Sequence, residues 1–186
     1  MPARSFPRLV SLACHDLRTP LATIYGFART LGRTAELDER SARFLQMIEQ
    51  ASEQMTDLLD QLGVAARIEG GRWEPGLREA DTLALAQTDD ERVSVVGEGE
   101  PIETEPEAVG RALAALAAAA LRYGPAEQVT WSVRGRELAL SPVRPAAAPV
   151  VTGEELRDLG SLVARIVIEA LGGSLELSGE TLLVAL

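Results

Sequence analysis

Two long runs of apolar residues at three- and four-residue steps, separated by a short break, restrict the first third of the chain to a helical hairpin. In the first run Leu9, Leu12, Leu17, Leu21, Ile24, Ala28 and Leu31 recur at helical spacing between Pro7 and Gly32, which bracket the helix. In the second run Phe44, Leu45, Ile48, Ala51, Met55, Leu58, Leu59 and Leu62 do the same, and Asp38 stands where a helix N-cap belongs. Two helices alone cannot shield stripes this wide from water. Pairing with a second hairpin buries them, so a homodimeric four-helix bundle is expected. The alternative is cover from the rest of the same chain.

Gly70-Gly71 and Pro75-Gly76 interrupt the helical pattern, which divides the chain into a helical domain over residues 1–69 and a second domain over residues 70–186. In the second, Arg92 to Gly97 reads as a strand, Glu105 to Tyr123 as a helix, and Gln128 to Val133 with Glu137 to Leu140 as a hairpin. Pro142 to Val151 reads as a proline–alanine loop and Leu156 to Leu171 as a helix. After the Gly172-Gly173 turn come short strands over Ser174 to Leu177 and Thr181 to Leu186. The fold class is α+β: an N-terminal antiparallel helical hairpin, then a small α/β sandwich.

Charge narrows the partners. Residues 1–68 hold 8 Arg and 8 Asp/Glu, so the whole net charge of −10 lies in the rest of the chain. An acidic second half argues against nucleic acid, which requires clustered cations to displace counterions. It also disfavours a polyphosphate ligand unless local cations compensate. The most apolar run, Ala112 to Leu121, is far short of the ~20 residues that span a bilayer. No membrane span and no export signal are expected, and the cytoplasm is the expected compartment. A single cysteine, Cys14, excludes an internal disulfide and a cysteine-rich metal site.

The chain has one histidine, His15, within the run Ser11-Leu-Ala-Cys-His15-Asp16-Leu-Arg18-Thr19-Pro20-Leu-Ala22. Phosphoryl transfer to nitrogen needs a neutral imidazole with an exposed lone pair and an oriented ring. Asp16 beside it can hold the opposite ring N–H and stabilise a developing imidazolium. Pro20 cannot donate to the carbonyl of Asp16, so a structural kink is expected one turn beyond His15. Thr19 falls one turn on, on the histidine's side of the helix. Cys14 diverges from His15 by ~100° around the helix, which disfavours a thiol–imidazole pair.

This run resembles the H-box of bacterial sensor histidine kinases, and Ala66-Arg-Ile-Glu-Gly-Gly-Arg-Trp is similar to the end of their second dimerisation helix. The order of elements beyond it resembles the kinases' ATP-binding domain, an α/β sandwich, but its ligand-bearing residues are replaced. The metal-binding asparagine position is Ala119, and the earlier asparagine position of the same box is Ala115. Arg122, Tyr123 and Pro125 keep the end of that box as packing remnants. Where the family has Asp-x-Gly-x-Gly this chain has Ser141-Pro-Val-Arg-Pro, and the glycine-rich lid is a proline–alanine loop. The second glycine motif keeps Gly160 only, with Asp158 standing where a preceding glycine would and facing phosphates with the wrong sign.

The resemblance is therefore to the dimeric histidine phosphotransferases of phosphorelays, which share kinase architecture without kinase activity. It implies that His15 shuttles phosphoryl groups between response-regulator receiver domains, with Asp16 orienting the ring and Thr19 positioning water. The receiver would dock around Arg18 and Ala22 and bring the only Mg²⁺; no ATP or other cofactor is expected. Two alternatives stay open: a pseudo-histidine-kinase that binds or dephosphorylates a regulator, and a divergent active kinase.

Overall fold

The computed structural model describes residues 6–34 and 37–186. The chain divides into two compact units, Met1–Arg72 and Trp73–Leu186.

The first unit is two helices packed on each other, α1 (Phe6–Thr34) and α2 (Glu39–Glu69). Asp38 caps α2: its Oδ1 accepts from the Ser41 backbone N–H at 2.9 Å, and its Oδ2 accepts from the Ser41 hydroxyl at 2.8 Å. Gly32, expected near the close of the first helix, lies within it. The seam is made of small or single side chains: Cys14, Leu21 and Ala28 are the buried residues of α1, seven apart, and α2 buries Ser52 and Gly63. A methyl group on Gly63 would stand 4.0 Å from the Cys14 Cβ, which locates the crossing.

Most of the apolar stripe is not in this seam. Leu9, Leu12, Leu17, Ile24 and Leu31 of α1 are exposed, as are Phe44, Ile48, Met55, Leu58 and Leu62 of α2. The sequence pattern spreads wider than one seam, and the seven-residue line of Cys14, Leu21 and Ala28 takes the helix–helix contact.

The second unit holds a five-stranded sheet of β2 (Val93–Gly99), β4 (Val129–Gly135), β5 (Glu137–Ser141), β6 (Ser174–Ser178) and β7 (Thr181–Ala185), ordered β2-β4-β5-β7-β6. β2 runs parallel to β4 and the other pairs are antiparallel, with Trp131 opposite Leu140 and Leu138 opposite Val184. Alternation sends Val129, Trp131 and Val133 inward. They pack with α4 (Pro106–Tyr123) and α6 (Leu159–Ala170), whose Leu113, Leu116, Ala117, Ala164 and Ile168 are buried. Gly97, at φ +114°, is required where it stands, since a Cβ there would overlap the Val133 carbonyl oxygen.

Four short elements were not legible in the sequence pattern: β1 (Arg78–Asp81), α3 (Thr82–Leu85), β3 (Pro101–Thr104) and α5 (Ala148–Val151). β1 and β3 form a separate antiparallel pair. The segment read as a loop from Pro142 to Val151 thus ends in a helical turn, with Pro149 in its first turn where a missing N–H costs nothing. α6 begins at Leu159, three residues later than Leu156, because Asp158 caps it and accepts from the Ser161 N–H at 2.9 Å.

Hydrogen bonds from Ser41 hold the Asp38 carboxyl below its ordinary value of 3.8. A depressed carboxylate stabilises the fold above its unfolded pKa, and that contribution is lost as pH falls through the folded one. Acid titration of Tm should therefore show a loss in wild type below about pH 3.8 that Asp38→Asn, an equally good cap without a charge, lacks.

Candidate functional site

His15 lies one turn beyond Ser11 on α1, with 77% of its side chain exposed. Its Nδ1 is 3.2 Å from the Asp16 Oδ1. A proton on Nδ1 then donates to the carboxylate and leaves Nε2 with its lone pair toward solvent. Thr19 and Ala22 are exposed on the same side of the helix, four and seven residues on. The helix passes through Pro20 unbroken. One turn later the Thr23 hydroxyl donates to the Thr19 carbonyl at 3.0 Å. Cys14 is 2% exposed and belongs to the seam, apart from the imidazole.

Arg18 is tied across the hairpin. It is half-buried, and its Nε and Nη2 both donate to the Asp60 Oδ1, at 3.0 and 2.6 Å. The pair crosses the hairpin between residues 42 apart, and no local pattern marks Asp60 as the partner. A second such crossing joins the Tyr25 hydroxyl to Glu53 at 3.0 Å. At the other end of the seam the Arg72 Nη2 donates to the Ser11 hydroxyl oxygen at 3.2 Å.

The second unit treats its altered motifs as packing. Ala119 is 1% exposed within the core, and neither it nor Ala115 offers an oxygen to a metal. Past β5, Val143, Ala147, Val150 and Val151 are all buried. The Val143 N–H donates to the Glu180 carbonyl at 2.7 Å, and the Ser161 hydroxyl donates to the Val150 carbonyl at 3.0 Å. Asp158 turns its carboxylate onto its own helix and onto Arg122, whose Nη1 lies 2.8 Å from Oδ2. The Tyr123 hydroxyl donates to the Arg157 carbonyl at 3.0 Å. The two remnants of the altered box thus clasp the segment just ahead of α6. At the positions that the resemblance assigns to Mg²⁺–nucleotide, Ala115 and Ala119 carry no side-chain oxygen, and Asp158 is already partnered.

Residues 8–71 match the His Kinase A (phospho-acceptor) domain family. The chain is 30% identical over 103 residues to the probable sensor histidine kinase TcrY of Mycobacterium tuberculosis, covering 55% of this chain and 22% of that protein. It is 29% identical over 172 residues to the histidine protein kinase DivJ of Caulobacter vibrioides, covering 82% of this chain and 28% of the relative. This is a histidine kinase-like protein. It spans under a third of the length of either relative. Its fold is shared with the crystal structure of full-length ShkA in complex with AMPPNP, with a TM-score of 0.67 at 18% identity, over 96% of this chain and 45% of that one. The histidine kinase-like fold is thus a helical hairpin followed by an ATPase-like α/β unit. Among the described residues, no helix is long and apolar enough to cross a membrane.

In this histidine kinase-like protein Asp158 has become a structural residue. Asp158→Ala should cost about 1 kcal/mol through the lost cap, whereas Asp158→Asn keeps the cap and loses only the pair with Arg122, whose side chain is 64% exposed. Chemical denaturation of the two variants measures the difference.

Proposed function

We propose that this is a histidine-containing phosphotransfer protein of a two-component phosphorelay, working without ATP-dependent autophosphorylation. One contrast carries the reading: the phosphoacceptor side is open and oriented, while the altered nucleotide positions are packed and hydrogen-bonded internally. His15 offers Nε2 outward with Asp16 on Nδ1. Ala119 and the segment from Val143 to Val151 serve the core instead.

In this reading the Nε2 lone pair attacks the aspartyl phosphate of a receiver domain. The acyl P–O bond breaks as the P–N bond forms, and the aspartate leaves as a carboxylate. Asp16 holds the Nδ1 proton and offsets the positive charge on the ring. A second receiver reverses the step. Mg²⁺ belongs to the receiver, and the histidine kinase-like protein supplies no cofactor. The receiver docks on the exposed side of α1 that carries His15, Thr19 and Ala22, with Arg18 at its border. Residues 1–69 form the dimerisation and phosphoacceptor domain, and residues 70–186 form a degenerate ATPase-like domain. The acidic second unit disfavours nucleic acid, and the cytoplasm is the proposed compartment.

A second reading, a pseudokinase that dephosphorylates a regulator, draws support from Thr19, exposed one turn from His15 and able to position water. Receivers charged with radiolabelled acetyl phosphate separate the two. In the relay, label appears on His15 as acid-labile phosphate and reaches a second receiver, His15→Gln abolishes this, and receiver binding persists. Label that only drains to inorganic phosphate favours the regulator. Label taken from ATP, or micromolar ATP affinity by calorimetry, refutes both.

The exposed stripe supports a homodimer. Leu17, Ile24, Met55 and Leu58 are exposed in the single chain, and pairing two hairpins would bury them. Light scattering should give the dimer mass even at dilution, and Leu58→Asp should give monomer or insoluble chain through an unpaired buried charge. A well-folded wild-type monomer would refute this assembly.

A further inference from the structure

His15 is bracketed along α1 by two arginine-bearing positions. Ser11, one turn before it, accepts the Arg72 guanidinium at 3.2 Å while donating to the Pro7 carbonyl at 2.9 Å. Arg18, one turn after it, lies across the seam on Asp60. Between them Gly63 leaves a gap: a Cβ there would stand 3.6 Å from the Arg18 Nη2 and 3.7 Å from the Arg67 Nη1. Two guanidiniums therefore converge over a residue with no side chain, and a third sits farther along the same seam. Arg67 and Arg72 make no ion pair among the described residues; of the three, only Arg18 is matched, by Asp60. This imbalance is local, because residues 1–68 carry as many acids as arginines.

We infer that Arg18, Arg67 and Arg72 form a rail of cations that receives the phosphoryl group carried by His15. Spacing of three and four residues puts Ser11 and Arg18 on the turns adjoining His15. Guanidiniums suit phosphate because they donate in pairs to its oxygens without titrating. Asp60 holds Arg18 ready: the pair is only partly buried, at 41% and 37% exposure, so it opens at little cost when a stronger anion arrives. Gly63 keeps the space in which the guanidiniums can turn. The inference rests on the proposed role of His15 and assigns the charge that steadies its phosphorylated state. Asp16, on the ring's Nδ1, and Asp60 oppose it.

The titration itself needs no receiver; receiver binding and transfer are measured beside it. His15 is phosphorylated chemically with phosphoramidate, whose P–N bond to ammonia breaks as the Nε2–P bond forms, ammonia leaving. The phosphoryl titration is then followed by ³¹P NMR. Cations nearby favour the dianion, so in the Arg67→Gln/Arg72→Gln variant of this chain the midpoint should rise by about one pH unit, a tenfold change in proton affinity. Asp60→Asn should move it the opposite way, because it frees Arg18 and removes a negative charge. Arg67→Lys/Arg72→Lys should largely restore the wild-type midpoint. Loss of packing alone would not produce shifts of opposite sign. Unchanged midpoints in both Arg67→Gln/Arg72→Gln and Asp60→Asn overturn the inference. So does a fall in affinity for unphosphorylated receiver with an unchanged titration, which would assign the rail to the receiver's carboxylates. If phosphorylated His15 titrates as expected yet passes its phosphoryl to no receiver, the relay reading fails while the rail stands.

Discussion

The thinness of the α1–α2 seam governs the first unit. Cys14, Leu21 and Ala28 meet a helix that offers Ser52 and Gly63, so the two backbones approach closely while their larger apolar side chains are left to adjoining sides. His15, one residue from the buried Cys14, is carried about 100° away from that contact, which is why it is exposed. The same seam sets the register that brings Arg18 to Asp60 and Arg72 to Ser11. A bulkier residue at the buried Cys14 would push the helices apart and loosen each of these cross-hairpin bonds.

The second unit holds its sheet by different means. Leu113, Leu116, Trp131, Leu138 and Leu182 are fully buried, and alanines along α4 let that helix lie close to its neighbours. Burial of this kind tolerates a change of ligand chemistry, since the core depends on volume and shape rather than on polar groups. An ATPase-like fold can persist with alanine at positions where a metal ligand would otherwise sit.

Much of this was legible from residues alone. Periodicity marked both long helices, and Asp38 marked the start of α2, because a cap acts within three residues of itself. The alternation of Val129, Trp131 and Val133 marked a strand with one buried side. The short elements β1, β3, α3 and α5 escaped because four residues carry too little pattern to stand apart from a loop. The start of α6 was misjudged although Asp158-Leu-Gly-Ser161 is a recognisable capping sequence. The resemblance sets Asp158 against phosphates, whereas its carboxylate serves the local cap of α6. The Arg18–Asp60 pair was out of reach for a further reason: its partners lie 42 residues apart, and only the hairpin register, a tertiary property, joins them.

The clasp of Arg122 and Tyr123 onto the segment ahead of α6 bears on how reversible such a molecule is in evolution. Ala119 and Asp158 both contribute to folding, so a change at either would first be felt as damage. An asparagine in place of Ala119 would put an amide in a site that is 1% exposed, at a cost of about 1–3 kcal/mol without a partner. A glycine in place of Asp158 would weaken the cap of α6 and leave Arg122, whose side chain is 64% exposed, to water. If the proposed loss of nucleotide binding holds, each such step would lose stability before it could add a ligand, and the domain's own core would hold it in its present form.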